Sequence, residues 1–364
     1  MEFVVAIDSF KGSASSHELN QAVKSGIEQV LPEAKVHTFA IADGGEGTIS
    51  AVEAGIGGVQ IKVSTVDLLG RPIVAEYLMA GDLAVIEAAK VVGIDKITPS
   101  EQTIQEASTF GLAQLFLDAK ARGAHEILLS LGGTGTSDGG LGLLEGLGGS
   151  FEQLPDFSGV KITGLADVTA VYAGENGYAK VFGQQKGGTP ELLEQQDQKA
   201  QQVVQRIKKN QNIDLQKIAG TGAAGGLGGA IVLLAGQLVS GFEKIAALLE
   251  IEEVIKKADL VITGEGRMDF QTAQGKVPFG MAKLAAKYQV PTIAFVGSLG
   301  DNLGEMEELL LAAYSIQKGP GSLEKAMQKE RTLENLEFLT KNVIKTRYYG
   351  EQGRATRENL AQNK

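Results

Sequence analysis

The chain has no cysteine, so disulfides and thiolate chemistry are excluded, and the redox compartment is left open. It has only three histidines, His17, His37 and His125, each far from the others, without metal-ligand spacing and without a nucleophile nearby in sequence. They are expected as surface or packing residues. No apolar run approaches the eighteen or so residues that a membrane span needs. The first strand-like run, Phe3–Ile7, follows no basic leader, so a cytoplasmic protein without a membrane partner is the expectation. Basic charge is the minority: 34 Lys and Arg against 44 Asp and Glu give a net charge of −10, which argues against nucleic acid as the main partner. None of the glycine loops has the G-x4-G-K-[ST] pattern of a Walker A motif.

Glycine, by contrast, is abundant. The 48 glycines are nearly twice the usual share of about 7%, and they cluster in five places beside a strand or a helix start. With 364 residues, 43% hydrophobic and 21% charged, the chain reads as an ordinary globular protein of two domains.

Read in order, Phe3–Ile7 runs into Asp8-Ser-Phe-Lys-Gly12, and Ser15-Ser-His-Glu18 has the spacing of a helix capping box. A second strand, Lys35–Ile41, leads into Ala42-Asp-Gly-Gly-Glu-Gly-Thr48 and another helix. Two β–loop–α units with polar loops at strand carboxyl ends predict a parallel sheet. From residue 59 the pattern alternates around a Leu69-Gly-Arg-Pro72 turn, which predicts a mixed sheet in a second domain. A helix over 101–122 and a buried strand Glu126–Leu131 follow, opening into Gly132-Gly-Thr-Gly-Thr-Ser-Asp-Gly-Gly140. Thr189-Pro190-Glu191 starts a long Gln-rich helix reaching about Asn210. The buried strand Pro291–Val296 resembles the first two units, so the middle domain is expected to be an insertion. The expected division is 1–65 with 285–364 against 66–284. Residues 348–364 read as a polar, weakly packed tail.

The densest chemistry lies in Asp259–Lys276, where Glu265, Arg267 and Asp269 interleave with Gly264 and Gly266 after a buried strand. Such a group suits an anion and a metal, a nucleotide phosphate with Mg²⁺ being the natural candidate. Asp-Gly-Gly occurs twice after a strand, at 43–45 and 138–140; each carboxylate could ligate Mg²⁺ or take a proton. Lys11 sits where a helix start disfavours a cation, a mismatch that an anionic ligand repairs. Gly220-Thr-Gly-Ala-Ala-Gly225 matches G-x-G-x-x-G, but Leu215-Gln-Lys-Ile-Ala before it is a poor strand for a dinucleotide fingerprint.

Together, Asp8-Ser-Phe-Lys-Gly, Ala42-Asp-Gly-Gly-Glu-Gly-Thr, Val181-Phe-Gly-Gln-Gln-Lys-Gly, Gly222-Ala-Ala-Gly-Gly-Leu-Gly and Ile262-Thr-Gly-Glu-Gly-Arg-Met-Asp resemble the signatures of the type I glycerate kinase family, in that family's order. Departures include Ile7 and Gln184 in place of proline, and Asp167-Val-Thr-Ala in place of a usual Asp-Asn-Pro-Leu. The resemblance implies a doubly wound (flavodoxin-like) α/β domain with a large inserted α/β domain, and a site in the cleft between them. It implies ATP and Mg²⁺ as cofactors and D-glycerate as substrate, with 2-phosphoglycerate as product; a related small hydroxy acid and a dinucleotide-dependent oxidoreductase are the alternatives. On that reading Asp8, Ser9, Lys11 and Arg267 bind substrate, Lys11 and Arg267 also acting in catalysis by holding the glycerate carboxylate or the transferring phosphoryl, with Asp43 or Asp167 taking the hydroxyl proton. Gly132, Gly133, Thr134, Asp138, Lys186, Gly222, Gly225, Gly226 and Gly264 approach ATP, and Glu265 and Asp269 hold the metal. A homodimer is the assembly to test for.

Overall fold

The structure, a computed structural model, describes residues 1–362, with side chains except those of Gln274 and 349–364. The chain divides into two compact units, Met1–Ile41 with Ala246–Lys364, and Ala42–Ile245. Its strands are β1 (Glu2–Ile7) and β2 (Lys35–Thr38), then β3 (Val59–Val66), β4 (Pro72–Ala80), β5 (Leu83–Glu87), β6 (Glu126–Ser130), β7 (Lys161–Leu165) and β8 (Gln237–Val239). The chain returns to the first unit with β9 (Leu260–Gly264), β10 (Arg267–Met268), β11 (Thr292–Val296), β12 (Ser298–Leu299) and β13 (Ala312–Ser315).

In the first unit the sheet order is β2-β1-β9-β11-β13, every pair parallel. Counted within this sheet, that is the 2-1-3-4-5 order of a flavodoxin-like doubly wound fold, whose direction switches between β1 and β9. β1, β9 and β11 are almost continuously apolar and buried, as strands covered on both faces must be. The helix Ser16–Glu28 begins at the expected box, with Ser15 and Glu18 satisfying each other's backbone N–H. Leu19, Val23 and Ile27 form one buried stripe on it, and Gly26 lets the helix Lys329–Gln362 come close, a Cβ there lying 2.8 Å from Thr340 Cβ. That last helix runs through the stretch read as a tail; the side chains that would show how it packs lie outside the described residues.

The second unit has a six-stranded mixed sheet, β3-β4-β5-β6-β7-β8, antiparallel from β3 to β5 and parallel from β5 to β8. At the expected turn, the Asp67 carboxylate accepts the N–H groups of Leu69 and Arg71. The single helix expected over 101–122 is broken into Glu101–Glu106 and Leu112–Ala121. Thr109 between them is drawn to the Asp138 carboxylate, and Gly111 packs so tightly that a Cβ would meet Val66 O at 1.9 Å.

The unit limits differ from the expected division at 65/66 and 284/285. β3 pairs along its length with β4 and so belongs to the second sheet, while β9, placed in the insertion by its position in the chain, pairs with β1.

Candidate functional site

At the switch point of the first unit, the Asp8 N–H donates to Gly264 O at 2.9 Å, which brings the ends of β1 and β9 together. The Asp8 carboxylate accepts the Ser9 N–H at 2.7 Å. Lys11 is exposed on the following turn. Gly264 serves packing: a Cβ there would lie 1.8 Å from Phe295 O. Glu265 is buried, accepting the Thr272 hydroxyl at 2.5 Å and pairing with Lys276 at 3.1 Å. Burial pushes its carboxyl up, while Thr272 and the Lys276 charge oppose the rise. Asp269 caps the turn Phe270–Gln274 and meets Arg267 Nε at 3.3 Å, the Arg267 side chain remaining 72% exposed. Asp8, Ser9 and Lys11 thus stand on one loop, and Glu265, Arg267 and Asp269 on its neighbour, the two loops tied by the Asp8–Gly264 bond.

The second unit holds a cleft of about 370 Å³ at the carboxyl ends of its parallel strands, within the range of small-molecule sites. Asp43, Asp167 and Lys186 all line it, with Gly132, Gly133 and Thr134 from the loop after β6 and Ala223 and Ala224 opposite. Asp167 Oδ1 accepts the Gly241 N–H at 2.9 Å, whereas Oδ2 is buried with no hydrogen bond of good geometry. Burial pushes this carboxyl up to about 6; Ser240 and the Gly241 N–H offset part of the rise, and the charges of Asp43 and Glu243 add to it. Lys186 is 2% exposed, its ammonium donating to Thr136 O at 2.6 Å. Burial brings its pKa down to about 8, with the charge of Asp138 working against that fall.

Other expected residues have packing posts. Asp138 accepts from Thr109 N and Oγ1, Gly142 N and Gly140 N, so its oxygens are engaged in holding the Ser108–Gly142 region, outside the cleft wall. Gly222, Gly225 and Gly226 are likewise not on that wall. A Cβ on Gly222 would meet Val171 O at 2.2 Å, on Gly225 Thr136 O at 2.0 Å and on Gly226 Gly139 Cα at 2.6 Å. These glycines let their loop touch both the 136–139 and the 170–171 loops, and the residues that reach the cleft are Ala223 and Ala224, the latter at φ 55°. The segment before them is a short turn, Leu215–Lys217, and not the strand that a dinucleotide fingerprint needs. Ile94, Phe182 and Gln185 also line the cleft; Phe182 and Gln185 fall within the Val181–Gly187 block that carries the resemblance, whereas nothing in its local sequence singles out Ile94.

Among the described residues, no group of three or more His, Asp or Glu is placed to hold a metal ion.

The model of the glycerate kinase family matches residues 3–154 and 152–348. A glycerate kinase of Halalkalibacterium halodurans is 35% identical over 368 residues, 93% of this chain and 96% of that protein. The glycerate 2-kinase of Escherichia coli K12 is 34% identical over 359 residues, 90% of this chain and 93% of that protein. The crystal structure of a Salmonella typhimurium LT2 protein assigned as glycerate kinase 2 superposes with a TM-score of 0.83 at 33% identity, over 97% of this chain and 99% of that one.

Proposed function

The chain belongs to the glycerate kinase family, and from that premise we propose that it is an ATP-dependent kinase passing the γ-phosphoryl group to the 2-hydroxyl of D-glycerate. One observation carries the assignment of roles: the Asp167 carboxylate, one oxygen of which has no hydrogen bond of good geometry, and the buried Lys186 ammonium line one cleft. Asp167 takes the hydroxyl proton, its carboxyl lying near 6 and so close to working pH, where a general base is most effective. Asp43, on the same wall, orients that hydroxyl. Lys186 meets phosphoryl oxygens, and the backbone of Gly132–Thr134 and Ala223–Ala224 borders the nucleotide. Lys11 and Arg267, both exposed, serve as anion-binding cations of the first unit, with Asp8 and Ser9 holding the Lys11 loop. Positioning and charge neutralisation supply most of the rate in such a transfer.

Mg²⁺ enters this reading as an ion borne by the phosphates of ATP, where it supplies neutralising charge. Glu265 and Asp269 do not fit as its ligands. Glu265 is already matched by Lys276 and Thr272, and Asp269 by Arg267 and the Gln271 N–H, which is not the open oxygen set that Mg²⁺ takes.

The test is ADP release from MgATP with D-glycerate, against L-glycerate and no acceptor, with the product typed by phosphorus NMR. Release that depends on D-glycerate and a phosphorus coupled to the C2 proton are the expected results. ATP binding without release would return the reading to a kinase for another small hydroxy acid.

A further inference from the structure

The helix Thr48–Ile56 starts at Gly47, which has φ 92° and no side chain to cap it. Its first turn nevertheless has an acceptor, supplied from far away in sequence. Glu87, the last residue of β5 and 3% exposed, takes the Ile49 N–H on Oε1 at 2.8 Å. Ser130, its register partner at the end of β6, donates its hydroxyl to Gly45 O at 3.3 Å. Two adjacent strand ends therefore grip one loop at both sides. Between the grips, Gly45 O also accepts the Thr48 hydroxyl at 2.8 Å, and the Gly45 N–H donates to Asp43 Oδ1 at 3.2 Å. Gly132 lies flat on the same place, a Cβ there coming within 2.8 Å of Gly45 Cα. The Asp43 side chain thus takes its bearing from a loop whose carboxyl-side anchor is Glu87.

We propose that Glu87 is a positioning residue for the transfer reaction, acting through the Gly45–Ile49 segment to hold Asp43 at the cleft. It takes part in no bond-making step. A buried carboxyl is a costly way to end an apolar strand; burial pushes it up, and the Ile49 and Gly47 N–H groups at the helix start, where negative charge is favoured, offset part of that rise. The inference rests on Asp43 having a part in the reaction, and the experiment separates the two claims.

Four variants are compared in steady state: Glu87→Met, which keeps the volume and removes the acceptor, Glu87→Gln, which restores it, Asp43→Asn, and the double variant Glu87→Met/Asp43→Asn. The expected result is a fall of about 10- to 100-fold in kcat for Glu87→Met, with both KM values changed by less than about threefold. Recovery of most of that loss in Glu87→Gln is expected, and no further loss when Glu87→Met is added to Asp43→Asn. Ser130→Ala, which removes the second grip by a small change, should lower kcat several-fold and guards against a failure of Glu87→Met to fold. Asp197→Ala gives the control: Asp197 is 1% exposed and caps Gly174 N–H elsewhere in this unit, so its loss should lower Tm without the kcat pattern. Equal losses from Glu87→Met in the wild-type and Asp43→Asn backgrounds, or full kcat in both Glu87→Met and Ser130→Ala, would overturn the inference. Full activity of Asp43→Asn would instead overturn the role given to Asp43.

Discussion

Two side chains of the cleft are shifted in opposite directions by the same cause. Burial raises the Asp167 carboxyl to about 6 and lowers the Lys186 ammonium to about 8. In the free enzyme, kcat/KM should therefore follow a bell between those values, falling below the first as Asp167 is protonated and above the second as Lys186 loses its charge. Lys186→Met should remove the alkaline limb and leave the acid one. Asp167→Asn should cost about 10²- to 10⁴-fold in kcat, the range for a lost general base. The same substitution should stabilise the fold. The folded pKa lies above the ordinary value of 3.8, so the unfolded chain ionises first as pH rises, and stability is lost between about pH 4 and 6. At pH 7 the ionised form costs roughly 2–3 kcal/mol, which asparagine would relieve. Urea titrations of the two proteins at pH 4 and pH 7 check this: the gap should be small at the lower pH and open at the higher. A gap independent of pH would remove the buried charge as its cause.

At the scale of elements, the sequence carried the cadence of the chain better than the aim of its loops. The capping box at Ser15, the Pro190 helix start and the apolar runs of β1, β6 and β11 are local signals, and the fold has them where they were read. The two Asp-Gly-Gly turns look alike in sequence and differ in space. Asp43 lines the cleft, whereas Asp138 is claimed by Thr109, 29 residues upstream. Glu87 gave no signal at all, being one charged residue at the end of an apolar strand with its partner 38 residues away. The glycines of 222–226 announced a loop that must bend sharply, but not that their bareness serves a neighbouring loop. Gly225→Ala would meet Thr136 O at 2.0 Å as well as take φ +67°, and should destabilise by about 3 kcal/mol or more. Gly123→Ala shares the left-handed backbone at φ +89° with open space around it, and should cost about 1 kcal/mol. Equal shifts in urea midpoint for the two would show that conformation alone, and not the close approach of the loops, demands glycine at 225.

For the molecule as a whole, the division into units follows strand pairing, which chain position does not reveal. The change of texture at residue 59 is real, but the second unit already begins at Ala42, because the Asp43–Ile49 stretch is gripped at Ile49 from β5 and at Gly45 from β6. With a net charge of −10, binding of anions has to rest on local cations, and among the described residues Lys186 is the buried cation on the cleft wall. Residues 42–245 are continuous, contain a complete six-stranded sheet and include a hydrophobic core running from Val63 to Leu234. Expressed alone, this segment should unfold in a single cooperative urea transition, since it has its own core. If the cleft is the nucleotide site, the segment should also bind ATP by calorimetry, and Lys186→Met should weaken that binding at least tenfold, as expected for a lost charged partner of phosphate. A cooperative fold that binds no ATP would move the nucleotide away from this cleft and leave Lys186 with a structural part only.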